Sequence, residues 1–288
     1  MFQTLAAYLE AIKFSHTIFA MPFALLAAVL AFRGGLPPLG HLLWIILAMV
    51  GARTWAMAVN RVVDAHFDSL NPRTASRAVA QGRIQKSSMM IFGTLGALLF
   101  IVAAGALSRV ALACSVPVLM ILASYSYAKR VSVLCHFWLG LCLGLAPLGA
   151  WVALRGTLPP ELLLLTGGIT FWVGGFDIIY ALQDATFDAE HKLRSIPSRF
   201  GTRRALWIAR LSHFFAAIFF ALFGAMHELG TLYFLGLIGA AVLMIQQHRV
   251  VGQGSLDRIE FAFFNLNGWI AVLLFLSATL SLWLQQIL

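Results

Sequence analysis

Asp64 and Asp68 lie four residues apart in the segment Asn60-Arg61-Val62-Val63-Asp64-Ala65-His66-Phe67-Asp68, and Asp184-Ala185-Thr186-Phe187-Asp188 repeats that spacing. Residues four apart on a helix project from one side, so each pair can share a divalent cation. With Asp177 and Glu190, these four account for six of the eleven acids in the chain, a clustering expected of an active site. Magnesium prefers oxygen ligands, keeps several waters, and is often held by one or two carboxylates together with substrate phosphate oxygens. Two such half-sites suit two ions around one diphosphate. Asn60 adds a neutral oxygen one turn before Asp64. At 100° per residue, Arg53, Asn60 and Asp64 fall within about 40° of one another, with Asp68 slightly beyond. A blander reading has the acids neutralise loop arginines, because a carboxylate beside a bilayer is costly unless paired, hydrated or metal-bound. The repeated spacing, with Asn60 and arginines suited to phosphate, favours the metal reading.

The surroundings of these acids are apolar. Of 288 residues, 61% are hydrophobic and 11% charged, and the mean hydropathy is +0.88. Those values exclude an ordinary soluble domain and predict an integral membrane protein. The net charge of +9 does not point to nucleic acid, because the basic residues sit beside hydrophobic stretches, where they set orientation and meet lipid headgroups or phosphates. Cys114, Cys135 and Cys142 have neither metal-ligand nor disulfide spacing and read as packing residues. Residues 1–14 contain Glu10 and Lys13 without a small-residue cleavage site, so no removable signal is expected.

A bilayer core about 30 Å thick needs about 20 apolar helical residues to cross it. That ruler predicts a single all-α domain over residues 1–288, a polytopic bundle of nine transmembrane helices with cytoplasmic cap loops. The spans fall near 16–33, 40–58, 88–107, 109–127, 135–154, 161–181, 206–226, 231–247 and 262–285. The third and fourth are separated only around Ser108 and Arg109. Keeping them separate puts most of the twenty Lys and Arg residues on the side of the N-terminus and leaves Arg33, Arg109 and Arg155 opposite. The positive-inside rule then places the N-terminus in the cytoplasm, the C-terminus outside, and both aspartate motifs at the cytoplasmic face. Each motif follows an even-numbered span and precedes a basic loop, an arrangement compatible with internal duplication. The loops, roughly 59–87 and 182–205, should cap the mouth of the bundle. Asn71-Pro72 marks a turn after the first motif, and Ile196-Pro197 breaks the helix carrying the second.

Four segments carry a family resemblance: Asn60-x-x-x-Asp64-x-x-x-Asp68, the downstream Asn71-Pro72-Arg73-Thr74, Tyr127-Ala128-Lys129-Arg130, and the run from Asp177 to Asp188. Together they resemble the UbiA superfamily of intramembrane prenyltransferases over nearly the whole chain. Within it the sequence looks most like the 4-hydroxybenzoate polyprenyltransferase group. The phrases from Phe14 to Phe23 and from Gly174 to Tyr180 are similar to a subgroup assigned to menaquinone synthesis by the futalosine route. Position 61 departs from the commonest pattern, being Arg where many members have Asp.

The resemblance implies transfer of a long isoprenyl chain from polyprenyl diphosphate to a small aromatic acceptor in the bilayer, with use of two Mg2+ ions and no nucleic-acid partner. It assigns Asn60, Asp64 and Asp68 to one ion and Asp184 and Asp188 to the other. Lys129, Arg130, Arg73 and Arg77 are candidates for the diphosphate, or else topogenic loop charges. The allylic cation needs an apolar, aromatic site away from water, and aromatic faces stabilise cations. Tyr127 and Tyr180 lie near the motifs, with Tyr180 one turn before Asp184. Arg53 either binds an acceptor carboxylate or neutralises Asp64 and Asp68. His16 either positions the acceptor or packs, and Asp177 orients Lys129 or a metal-bound water.

Two acceptors stay open, 4-hydroxybenzoate and a dihydroxynaphthoate, for ubiquinone or menaquinone biosynthesis in a bacterial inner membrane. A transporter would place its decisive charges near the midplane at broken helices. Here they gather at helix ends, which suits chemistry on a lipid whose phosphate stays at headgroup level.

Overall fold

The computed structural model describes residues 2–13, 17, 19–252, 259 and 262–287. The helices in chain order are α1 (Phe2–Ala11), α2 (Met21–Ala31), α3 (Leu39–Val63), α4 (Ala65–Leu70), α5 (Lys86–Leu107), α6 (Arg109–Val131), α7 (Cys135–Arg155), α8 (Glu161–Tyr180), α9 (Ala185–Glu190), α10 (Ile196–Met226), α11 (Thr231–Gly252) and α12 (Asn267–Ile287). A 3-10 turn, Ala181–Asp184, joins α8 to α9, and a π-helical turn, Ala262–Leu266, precedes α12. Among the described residues eight helices are long and apolar enough to cross a bilayer. The first expected span is represented by the shorter α2, whose 11 residues extend about 16 Å. Residues 16 and 18, which that span included, lie outside the described residues.

The expected break between the third and fourth spans is present. Ser108 is extended (φ −163°, ψ 159°) after α5, and its Oγ accepts from the Ala111 N–H at 3.1 Å. That bond satisfies one of the first orphan donors of α6, as a serine cap should. Asn71 ends α4 in an extended conformation (φ −89°, ψ 117°), which the following Pro72 favours.

The polar loops hold more helix than the sequence suggests. α3 runs five residues past its expected end, to Val63, and α4 follows at once. In the second loop α10 starts at Ile196 rather than near 206. Pro197 sits in the first turn of α10, where its missing N–H costs nothing, and Ser195 with Ser198 forms a reciprocal capping box. Gly201 (φ 76°, ψ 165°) then kinks the helix.

The chain divides into two compact units, one of residues 1–17 and 43–128, the other of residues 18–42 and 129–288. In the first unit α3 and α5 approach through small residues. A Cβ on Gly51 would stand 2.6 Å from the Gly96 carbonyl oxygen, so no other residue fits there without backbone movement. This is how membrane helices gain dispersion contacts where lipid removes the hydrophobic drive. Trp55 Nε1 donates to the Leu119 carbonyl at 2.9 Å and ties α3 to α6. Ile91, Leu95, Leu98 and Val102 form an exposed stripe along α5, a face suited to lipid and not to water.

In the second unit the core gathers Phe23, Trp172, Phe220, Phe223 and Tyr233. The Phe23 and Phe220 rings are nearly parallel, 4° apart in plane with centroids 6.1 Å apart. α7 and α8 touch at Gly140, where a Cβ would lie 2.3 Å from the Thr170 carbonyl oxygen. Polar groups inside this core find one another. Asn267 Oδ1 accepts from Trp172 Nε1 at 3.0 Å and from Gln247 Nε2 at 2.6 Å, and His248 Nε2 lies 3.0 Å from His213 Nδ1. Cys135 and Cys142 are buried, Cys114 is exposed, and all three are free thiols.

Candidate active site

The first aspartate motif straddles a helix break. Asp64 (φ −89°, ψ 0°) separates α3 from α4 and is the residue before α4's first turn. The Asp68 N–H still donates to the Asp64 carbonyl at 2.8 Å, so the four-residue register survives the break. Asn60 Nδ2 donates to Asp64 Oδ2 at 2.7 Å, and Arg77 NH1 reaches Asp68 Oδ1 at 2.7 Å. Thr74 Oγ1 closes the turn on the Asp68 carbonyl at 3.2 Å. The Arg73 N–H donates to Asn71 Oδ1 at 3.0 Å, the local side-chain turn that asparagine offers before a change of direction.

Arg61, the departure noted in the sequence, is buried on the other side of Asn60. Its Nε donates to the Ala11 carbonyl at 2.7 Å, and its NH1 lies 3.4 Å from Asn60 Oδ1. The Asn60 amide is therefore spanned by Arg61 at its oxygen and Asp64 at its nitrogen. Arg53 NH2 donates to the Lys13 carbonyl at 3.2 Å. Two arginines of α3 thus bind carbonyls at the end of α1, where the helix leaves acceptors unsatisfied. The cation bonded to Asp68 is Arg77 rather than Arg53.

The second motif is built on the same plan in the other unit. α8 tightens into the 3-10 turn, and Asp184 (φ −104°, ψ 4°) is the residue before the first turn of α9. Asp184 is 6% exposed and Asp188 2%, against 7% for Asp68. Lys129 Nζ lies 3.4 Å from Asp188 Oδ2, and the carboxylates of Asp184 and Asp177 also act on it electrostatically. The Leu193 N–H donates to the Asp188 carbonyl at 2.8 Å, and the Arg194 N–H to that of Lys129 at 2.6 Å. Arg194 NH1 caps the end of α6 on the Val131 carbonyl at 2.5 Å.

Asp177, which acts on Lys129, also has a partner of its own. Its Oδ2 lies 2.6 Å from Nδ1 of His136, a fully buried histidine that the sequence reading passed over. A polar side chain inside an apolar span was the available signal. Tyr180 is half-buried, one turn before Asp184, while Tyr127 is 48% exposed. Arg130 is half-buried, and His16 lies outside the described residues.

Among the described residues no group of three or more His, Cys, Asp and Glu side chains is placed to hold a metal ion. Each motif offers two carboxylates, and the buried second aspartate carries one basic partner. That donor set, hard oxygens in small number, fits magnesium completing its shell with water and phosphate oxygens, and does not fit zinc.

The comparisons with known proteins agree with this architecture. The UbiA prenyltransferase family matches residues 20–269. The 4-hydroxybenzoate octaprenyltransferase of Chromohalobacter salexigens is 30% identical over 86% of this chain and 83% of its own. That of Photobacterium profundum is 28% identical over 87% of each. An apo structure of a UbiA homolog from Aeropyrum pernix K1 superposes with a TM-score of 0.83 at 30% identity, covering 95% of this chain and 98% of that one. A UbiA homolog from Archaeoglobus fulgidus bound to GPP and Mg2+ shares the fold, with a TM-score of 0.63 at 16% identity over 93% of this chain and 99% of that one. Matched over most of its length in sequence and fold, the chain belongs to the UbiA prenyltransferase family and is a prenyl-transferring enzyme of the membrane.

Proposed function

We propose that the protein transfers a polyprenyl group from polyprenyl diphosphate to an aromatic carboxylate of the 4-hydroxybenzoate type, with magnesium held at each aspartate motif. The observation that carries this reading is the repeated local build. In each motif a long apolar helix breaks at one aspartate, a six-residue helix follows, and a second, buried aspartate bears a basic side chain. The names of the relatives support the aromatic acceptor. The Archaeoglobus homolog with GPP and Mg2+ supports a diphosphate donor and a divalent ion.

The difficult step is breaking an allylic carbon–oxygen bond, which leaves negative charge on the diphosphate. Bound magnesium supplies positive charge to those oxygens as the bond weakens. Asp64 and Asp68, with Asn60 beside them, would hold one ion, and Asp184 and Asp188 would hold the other. Lys129, Arg77, Arg73 and Arg130 are the basic side chains that would bind diphosphate. Tyr180 presents its ring to the allylic cation. The acceptor approaches as a phenolic carboxylate, with Arg53 available to its charge. The N-terminus is cytoplasmic and the C-terminus lies outside, in a bacterial inner membrane.

Purified protein given one long prenyl diphosphate with 4-hydroxybenzoate or 1,4-dihydroxy-2-naphthoate, with magnesium or with a chelator, tests the reading by product mass. Prenylated 4-hydroxybenzoate formed only with magnesium is expected. Product from the naphthoate alone assigns the enzyme to menaquinone synthesis. Release of diphosphate without either product, or turnover in chelator, contradicts the proposal.

A further inference from the structure

His136 lies at the start of α7, buried, and joins two other segments. Its Nδ1 is 2.6 Å from Asp177 Oδ2 on α8. Its Nε2 accepts from the backbone N–H of Ile196, the first residue of α10, at 3.3 Å. An imidazole nitrogen that accepts carries no proton, so the proton is on Nδ1 and is donated to the aspartate. His136 thereby holds Asp177 by one oxygen and fixes the start of α10 by the same ring. The residues just before that start are those bonded to the second motif, Leu193 to Asp188 and Arg194 to Lys129.

The carboxylate of Asp177 acts electrostatically on Lys129, as do those of Asp184 and Asp188. Its side chain is 19% exposed, against 0% for His136, so it keeps some contact with solvent and with whatever charge stands near. Lys129 carries an ammonium on a flexible stem that can turn toward any of these carboxylates. An Asp177 released from His136 is a third competitor for that ammonium, two helical turns before Asp184. A carboxylate with one oxygen already fixed by His136 is a weaker one, because that oxygen's acceptor capacity is engaged and its direction is set.

We propose that His136 is a positioning residue that restrains Asp177 and so keeps Lys129 available for the diphosphate. The proposal rests on the reading of Lys129 as a diphosphate contact, and it concerns binding rather than the chemical step. Glutamine at this position offers an NH2 donor and a carbonyl acceptor and can preserve both bonds, whereas alanine preserves neither.

The test is calorimetric binding of inorganic pyrophosphate with magnesium to the purified full-length protein, paired with turnover assays. His136→Ala is expected to weaken pyrophosphate binding about tenfold and to raise KM for the prenyl diphosphate by a similar factor, with KM for the acceptor unmoved. His136→Gln recovers most of the loss. Asp177→Asn keeps a partner for the imidazole, so it folds, and by removing the competing charge it tightens pyrophosphate binding at least twofold. The double variant His136→Ala, Asp177→Asn binds better than His136→Ala alone, although it has lost more native contacts. A purely structural role for His136 predicts the opposite order for the double variant and overturns the proposal, as does weaker binding by Asp177→Asn. If the wild type binds pyrophosphate in this pattern without making prenylated product, the assigned reaction fails and the role of His136 stands. If it transfers the prenyl group while His136→Ala binds pyrophosphate normally, only the role of His136 fails.

Discussion

The two aspartate motifs solve one construction problem with different parts. Around Asp64 the break is a single residue between α3 and α4, and the preceding turn supplies Asn60. Around Asp184 the break is a whole 3-10 turn, and the residue one turn before is Tyr180. The basic partner of Asp68 is Arg77, nine residues downstream in the same loop. The partner of Asp188 is Lys129, which comes from another helix 59 residues upstream. The spacing of carboxylates is common to both, and so is the six-residue helix after the first acid. The shared features are those a metal half-site needs. Of those that differ, the phenol, the guanidinium and the ammonium meet the substrate in the proposed reaction, while the amide steadies Asp64.

If that division is right, the shared features tolerate least. Asp64→Asn and Asp184→Asn should each lower turnover by about 10²–10³, the scale of losing a charge-stabilising group in a transition state, while circular dichroism shows both variants folded. A large loss in only one would break the equivalence of the motifs.

Smaller effects separate the partners. Lys129→Ala and Arg77→Ala should each raise KM for the prenyl diphosphate by about tenfold, a loss of about 1.4 kcal/mol. Lys129→Ala should also lower the melting temperature more, because the side chain of Asp188 is 2% exposed and that of Asp68 9%. Removing the cation strands the buried carboxylate. Added magnesium should restore part of that loss. Equal melting temperatures for the two variants would remove this distinction.

The amide and the phenol should differ in kind. Asn60→Ala is expected to raise the magnesium concentration needed for half-maximal turnover, since Asp64 loses its fixed donor. Tyr180→Phe keeps the aromatic face and should leave that concentration unmoved. Magnesium titrations of the two variants distinguish them.

The smallest effect is confined to the second motif, whose following helix has a capping box. Ser195→Ala should cost about 1 kcal/mol of stability and leave KM within about twofold, measured by thermal melting and initial rates.

Much of this plan was legible in the residue pattern. Long apolar stretches marked the helices, Ser108 marked the break between α5 and α6, and Asn71-Pro72 marked the turn after α4, because each acts through local backbone chemistry. The short helices α4 and α9 escaped notice because six residues are too few for a periodic signal. Arg77 and Lys129 were recognisable as basic residues near the motifs, but their bonds to Asp68 and Asp188 depend on where loops and helices fold. The His136–Asp177 contact spans 41 residues, and spacing carries no trace of it. Arg61 read as a missing acid, whereas its guanidinium closes the end of α1 and holds the oxygen of Asn60.

The account depends on both motifs serving one reaction, and groups that act as a unit do not multiply their losses. Turnover of Asp64→Asn, Asp184→Asn and the double variant, measured side by side with saturating magnesium, tests that most directly. The expected result is a double variant no slower than the poorer single one, within about threefold. Losses that multiply across the double variant, or normal product formation by either folded single variant, would contradict it.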